Sequence, residues 1–215
     1  MTRRSWVETA ALGCLAILLL AVGAALRPLV AADDRPAPPV LTDTEIGFAQ
    51  DMLAHHNQAL LMVQRLDSGI NPTVRTLAQQ ISDTQRTEIG MLLGWLRMAE
   101  ALAINPQPMA WMYADRSETT DHHHTGPATS TAATTSAAMP GMATQAELDA
   151  LAAARGADAE SLFLQLMRRH HYGGIQMAQA AERQLSSGIV KQAARDMLDT
   201  QSREIGVLGL LLSRS

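Results

Sequence analysis

Two adjacent histidine pairs, His55-His56 and His170-His171, lie in closely matching stretches more than a hundred residues apart. Each stretch reads Phe-x-Gln-x-Met-x-x-His-His followed by a methionine six positions later, from Phe48 to Met62 and from Phe163 to Met177. Thioether sulfur favours Cu(I), and imidazole nitrogen suits copper in both oxidation states. Met52, His55, His56 and Met62, with Met167, His170, His171 and Met177, are therefore the candidate metal ligands. The ion they suit is copper, as Cu(I) or Cu(II). Calcium and magnesium need clusters of oxygen ligands that neither stretch contains. Zinc held by histidine alone would leave the methionines unexplained.

The repetition continues downstream, where Asp83 to Gly90 (DTQRTEIG) is answered by Asp199 to Gly206 (DTQSREIG). The repeated unit is thus a pair of elements, and a repeat of this kind fixes the architecture before any local reading. On a helix turning about 100° per residue, Phe48, Met52, His55, Ala59 and Met62 share one apolar face with His56 at its edge. The second copy repeats these angles. The partner element carries a stripe of Ala78, Ile81, Gln85, Ile89 and Leu92 bordered by Glu88, and Gln201, Glu204 and Ile205 repeat it. A Gln within such a stripe and a Glu beside it need partners. A carboxylate or carbonyl that accepts the other ring N–H of a ligating histidine is a usual companion of a metal site. Gln85, Glu88, Gln201 and Glu204 are accordingly expected as supporting or auxiliary groups. The competing reading is structural: methionine at helical spacing is commonly core filler, and each histidine pair would then be a hydrogen-bonded knot with its Gln and Glu.

These residues must be positioned by helices. Aromatic residues make up only 3% of the 215 residues, and Ala, Leu, Met and Gln are abundant, which favours helix over strand. Thr42 and Glu45 form a capping-box pattern that opens a first helix to about Asp67. Asn71-Pro72 opens a second that runs to about Ala103. The short turn between them makes the two antiparallel neighbours. Residues 42–103 thus form a first helical hairpin. Residues 144–215 form a second, with Thr144 and Glu147 opening a short helical approach. The expected fold is all-α, a four-helix bundle of two repeated antiparallel helix pairs that together make one domain. Residues 104–143 read as a flexible linker, rich in Thr, Ser, Ala and Pro. It carries His122, His123 and His124 and the sequence Met139-Pro140-Gly141-Met142, a second, looser set of groups able to capture metal.

Upstream, residues 1–32 combine Arg3-Arg4 with a charge-free run from Thr9 to Leu26, which is the pattern of a signal peptide or a membrane anchor. Residues 33–41 are a Pro-rich tether. The body is therefore expected to be extracytoplasmic, secreted or held at the cell envelope by the N-terminal helix. The net charge of −4, with both signs interspersed, argues against a nucleic-acid partner. The only cysteine, Cys14, lies in the apolar run, so the body has no disulfide, no Cys-ligated zinc and no Cys nucleophile. No acid, base and nucleophile set is recognisable, and a non-enzymatic role is expected. The sequence is compatible with a monomer or a homo-oligomer.

With Met-x-x-His-His followed by Met, and Gln-x-x-Glu-Ile on the partner helix, the chain resembles the bacterial domain-of-unknown-function 305 family over about residues 42 to 100 and 144 to 213. The resemblance implies a ferritin-like bundle, usually exported and in some members associated with copper binding and tolerance. Family members often carry a Met four residues after the Glu, where this chain has Leu92 and Leu208. The Glu-x-x-His signature of ferritin di-iron sites is absent, because Met91 and Val207 follow Glu88 and Glu204 at that spacing, which argues against ferroxidase chemistry. Two roles follow: copper sequestration or handling outside the cytoplasm, or a metal-free helical interaction module of the envelope with structural histidines.

Overall fold

The computed structural model describes residues 3–30, 39–116 and 139–214. Within them every regular element is helical and no strand occurs: α1 (Arg3–Val30), α2 (Asp43–Arg65), α3 (Pro72–Met98), a 3-10 helix (Ala110–Arg116), α4 (Gln145–Ala153), α5 (Gly156–Gln184) and α6 (Ile189–Leu212). Two compact units result, Met1–Pro38 and Pro39–Ser215. In the first, Leu18, Leu19 and Leu20 of α1 are exposed. Among the described residues no helix is long and apolar enough to cross a membrane.

In the second unit the helix ends follow from local chemistry. Thr42 and Glu45 form a reciprocal capping box, Thr42 N donating to Glu45 Oε2 at 2.8 Å and Glu45 N to Thr42 Oγ1 at 3.3 Å. Thr144 and Glu147 repeat it at the start of α4. Asn71 caps α3 through Thr73 N at 2.8 Å, with Pro72 in the first turn. Each such cap is worth about 1 kcal/mol. The far end of α3 falls at Met98, five residues short of the expected Ala103. Glu100 takes a left-handed conformation (φ 53°), and Ala101 N and Glu100 N close back onto the carbonyls of Leu96 and Arg97. This is the Schellman stop that glycine usually makes, and here a glutamate makes it.

α2 packs along α3 and α5 along α6, and the two pairs meet through α2 and α5. The apolar interior divides into two clusters. One holds Met52 and Met177 with Phe48, Leu92 and Trp111. The other holds Met62 and Met167 with Phe163, Ile81 and Leu208. Along α2 and α5 the histidines fall between each pair of methionines, so the polar layer divides two apolar halves. Each half has its own cover: the 3-10 helix lies on α2 and α5 at one, α4 at the other.

The segment 104–143, expected to be a flexible linker, carries structure at both of its ends. Met109 and Trp111 are buried, and Met112 and Met139 pack against the same cluster. Asp51, buried in α2, explains the first attachment. Its Oδ2 accepts from Met109 N at 2.7 Å, Trp111 Nε1 at 2.9 Å and Asn105 Nδ2 at 3.1 Å. Met109 is thereby held at φ 67°, a left-handed conformation costing a non-glycine residue about 1–2 kcal/mol. At the other end Gln58 grips the backbone of Ala143 with both amide atoms, at 2.8 and 2.7 Å. The Pro140-Gly141 turn (Gly141 φ 75°) lies so close on Gly173 that a side chain there would overlap the Pro140 carbonyl. His122, His123 and His124 lie outside the described residues.

Gly173→Ala must displace this turn and is expected to lower stability by about 1–3 kcal/mol, an overpacking cost. Gly90→Ala, on the exposed side of α3 where a methyl meets nothing, should instead raise stability by about 0.5–1 kcal/mol. Urea unfolding of the two variants checks both signs.

Candidate metal centre

All four paired histidines are fully buried. Where α2 crosses α5, the rings of His55 and His170 stack with centroids 3.7 Å apart and planes inclined by 30°. Their outer nitrogens meet backbone oxygens: His170 Nε2 donates to the His55 carbonyl at 3.0 Å, and His55 Nε2 to the Pro140 carbonyl at 3.2 Å. A carbonyl only accepts, so each ring carries its proton on Nε2. Burial holds both rings neutral. It lowers the His55 pKa to about 3, with the neighbouring His56 adding to the effect and the Pro140 carbonyl opposing it. His170 is likewise pushed well below the usual imidazole range, by burial first and by His55 second. A neutral ring protonated on Nε2 leaves the Nδ1 lone pair free, and neither Nδ1 has a partner among the described residues.

His56 and His171 flank this pair at ring-centroid distances of 6.4 and 6.3 Å from their neighbours. His171 Nε2 donates to Glu204 Oε2 at 2.7 Å. His56 Nε2 approaches Glu88 Oε2 at 2.6 Å, an ion-pair distance without good hydrogen-bond alignment. The short contact, rather than the imperfect angle, defines this pairing, because a carboxylate at that distance requires an N–H facing it. The Nδ1 atoms of both rings again have no partner among the described residues. The expected carboxylates thus meet the histidines. The expected glutamines do not: Gln85 and Gln201 are buried, but their amides have no hydrogen-bond partner among the described residues. Gln201 lies instead against Gly174, where any side chain would overlap its amide.

Met52, Met62, Met167 and Met177 are fully buried. They lie on either side of the histidines rather than among them, two in each apolar cluster. Met139 and Met142 are partly buried beside the Pro140-Gly141 turn, and Met139 packs on the Met52 half. Among the described residues no three His, Cys, Asp or Glu side chains converge at metal-binding spacing. The His55 and His170 rings face each other, an oxygen stands at Nε2 of each of the four rings, and the thioethers fall in the apolar clusters on either side. Sequence reading missed Pro140, Gln58 and Asp51. The Pro-Gly dipeptide signalled a turn, and Asp51 stands where the second repeat has Leu166, but neither fact reveals what the side chain meets.

The family model for a domain of unknown function, DUF305, matches residues 45–212. The chain belongs to the DUF305 family. A DUF305 protein from Streptomyces coelicolor is 34% identical, with 80% of this chain and 91% of that one covered and a TM-score of 0.66. A DUF305 fragment from Deinococcus radiodurans is 29% identical, covering 83% and 100% of the two chains, with a TM-score of 0.64. CopM in its Cu(II)-bound form is 20% identical over 79% of this chain and 96% of its own, with a TM-score of 0.54, a likeness of fold. No curated protein matches. In this DUF305 chain both His-His motifs, their carboxylates and the intervening turn fall within the matched span.

The buried neutral histidines carry a pH signature. His55 has a folded pKa near 3 against 6.5 when exposed, so between these values the unfolded chain binds more protons. Stability is fully present above pH 6.5 and falls as the pH drops through that window, by about 1.4 kcal/mol per unit for such a group. Urea midpoints of the metal-free protein from pH 7 to pH 4 should decline accordingly, and His55→Leu should flatten the decline. An equal slope in the variant would remove His55 as its source.

Proposed function

We propose that this DUF305 protein binds copper through its paired histidines, with methionine thioethers favouring Cu(I), and sequesters or hands on the ion outside the cytoplasm. The single observation that carries the reading is the set of four buried Nδ1 atoms without partners among the described residues. Each leaves an acceptor desolvated at a cost of about 1–3 kcal/mol, and a ligand that accepts electron pairs relieves it. An oxygen behind each ring, from Pro140, His55, Glu88 or Glu204, holds the proton on Nε2. Such backing orients a ligating histidine and raises its basicity. A structural hydrogen-bonding knot would use both nitrogens of each ring, and among the described residues none of the four Nδ1 atoms has a partner.

The long helices α2, α3, α5 and α6 are read here as a ferritin-like four-helix bundle, with residues 42–103 and 144–215 as its repeated halves. CopM, of the same fold, is known in a Cu(II)-bound form. The Streptomyces coelicolor relative is expected to be secreted. Both agree with an exported copper protein whose first 32 residues serve as signal or anchor. Copper is then cargo, and no catalytic step is required of the chain.

Titration of the full chain with Cu(II) and Cu(I) tests the reading, alongside a variant with His55, His56, His170 and His171 all replaced by Leu. Binding should be lost in the variant, and X-ray absorption of the loaded protein should show nitrogen ligands with a sulfur contribution. Glu88→Gln, which keeps the shape, should weaken binding by about 10- to 100-fold. Equal copper affinity in the parent and the folded four-histidine variant would defeat the proposal.

A further inference from the structure

All four paired histidines are fully buried, so an ion reaches them only where the body opens. Over the central pair, part of the cover is not helix. Among the described residues, Pro140 is the one non-helical residue that hydrogen-bonds a paired histidine, its carbonyl accepting from His55 Nε2 at 3.2 Å. Met139, Pro140, Gly141 and Met142 are each partly exposed, while the His55 ring that Pro140 touches is not exposed at all. At this point a single turn of backbone separates solvent from the stacked rings.

The turn is closely seated but lightly tied. It meets α5 backbone against backbone: a side chain on Gly141 would strike the Arg169 carbonyl, and one on Gly173 the Pro140 carbonyl. Two glycines meeting in this way leave no side chains to interlock. Gly141 sits at φ 75°, in a region that glycine enters and leaves without steric penalty. The Pro140 contact is the longest of the four that reach the Nε2 atoms, at 3.2 Å against 3.0, 2.7 and 2.6 Å. Arg169 reaches the Met142 carbonyl at 3.5 Å and gives its short contacts, 2.7 and 2.6 Å, to Glu147. The firm attachment is at Ala143, whose backbone N–H and carbonyl are both held by Gln58, at 2.7 and 2.8 Å. Breaking these few bonds is a local opening, which requires far less than parting the long helices.

We propose that the Pro140-Gly141 turn is a strap that swings off His55 to open the histidine layer to an entering ion and then closes over it, with Gln58 setting how often it opens. The ion's identity rests on the copper reading of that layer; the motion of the strap does not. A competing entrance runs along the outer carboxylates, since the side chains of Glu88 and Glu204 are 14% exposed beside His56 and His171. That route would bare the outer rings first, whereas the strap bares His55.

Two alanine variants of glutamines on α2, made in the full chain, give a matched test. Gln58→Ala frees Ala143. Gln50→Ala instead removes the hydrogen bond from Gln50 Nε2 to the Leu102 carbonyl at 2.7 Å and leaves the strap tied. Metal-free protein is labelled with diethyl pyrocarbonate, and the rate at each histidine is read by tandem mass spectrometry. His55 should react about tenfold faster in Gln58→Ala than in the parent, the effect of two lost hydrogen bonds on a local opening. His171 should keep its parent rate, and Gln50→Ala should match the parent at both positions. Stopped-flow uptake of Cu(II) should accelerate by the same factor in Gln58→Ala alone. An unchanged His55 rate in Gln58→Ala, an equal rise at His55 and His171, or equal acceleration of uptake in both variants would overturn the strap. Faster labelling of His56 and His171 than of His55 in the parent would place the entrance at the carboxylates and overturn it as well. If the parent takes up no copper, the copper reading fails, while the labelling contrast still upholds the turn as the cover that opens.

Discussion

The rest of the body depends on the stacking of His55 against His170 at the crossing of α2 and α5. Rings 3.7 Å apart cannot both be charged in an interior that excludes water, so burial and proximity act together to keep them neutral. Neutrality then forces a choice of tautomer. The choice is made by backbone oxygens, which are fixed by the helix and by the Pro140 turn. Close approach of the two helices is itself a condition of the stack: the His170 ring reaches the carbonyl of His55 on the opposite helix, and Gly174, lacking a side chain, gives its space to the Gln201 amide.

Exact twofold symmetry would pair His55 with the carbonyl of His170. Instead the partner of His55 is Pro140, from a segment outside the repeat. The departure is steric and local. Gly173 leaves space over α5 where its counterpart in α2, Gln58, has a long side chain. The turn descends into that space, and Gln58 ties down Ala143 beyond it. The same pair of positions therefore admits the turn on one helix and anchors it from the other. An equivalent substitution operates between Asp51 and Leu166. The leucine joins the apolar core, while the aspartate, with burial pushing its carboxyl up against three hydrogen bonds, anchors the 3-10 segment instead.

The sequence revealed what is periodic and hid what is not. Helix type, the buried face of each motif and the match of Glu88 and Glu204 with His56 and His171 could be read from spacing, because 3.6-residue geometry fixes which side chains share a face. The stop of α3 could not, since the left-handed residue there is Glu100 and not a glycine. The ends of segment 104–143 were hidden for a related reason. Their order comes from contacts across more than fifty residues, through Asp51 and Gln58, and composition records only the Thr, Ser and Pro that surround them. The glutamines misled because an amide in an apolar stripe was matched to the nearest polar residue, whereas Gln201 is placed by the absence of a side chain at Gly174.

A domain of this size has a stability of order 5–15 kcal/mol. Four buried lone pairs left without any partner would cost about 1–3 kcal/mol each, a comparable quantity. Apolar residues of similar volume in the same places would remove it. A ligand bound only by the folded state offsets such a burden by mass action, in proportion to its concentration over its dissociation constant. The two apolar halves, capped by the 3-10 helix and by α4, supply the stability that lets the layer between them remain incompletely paired.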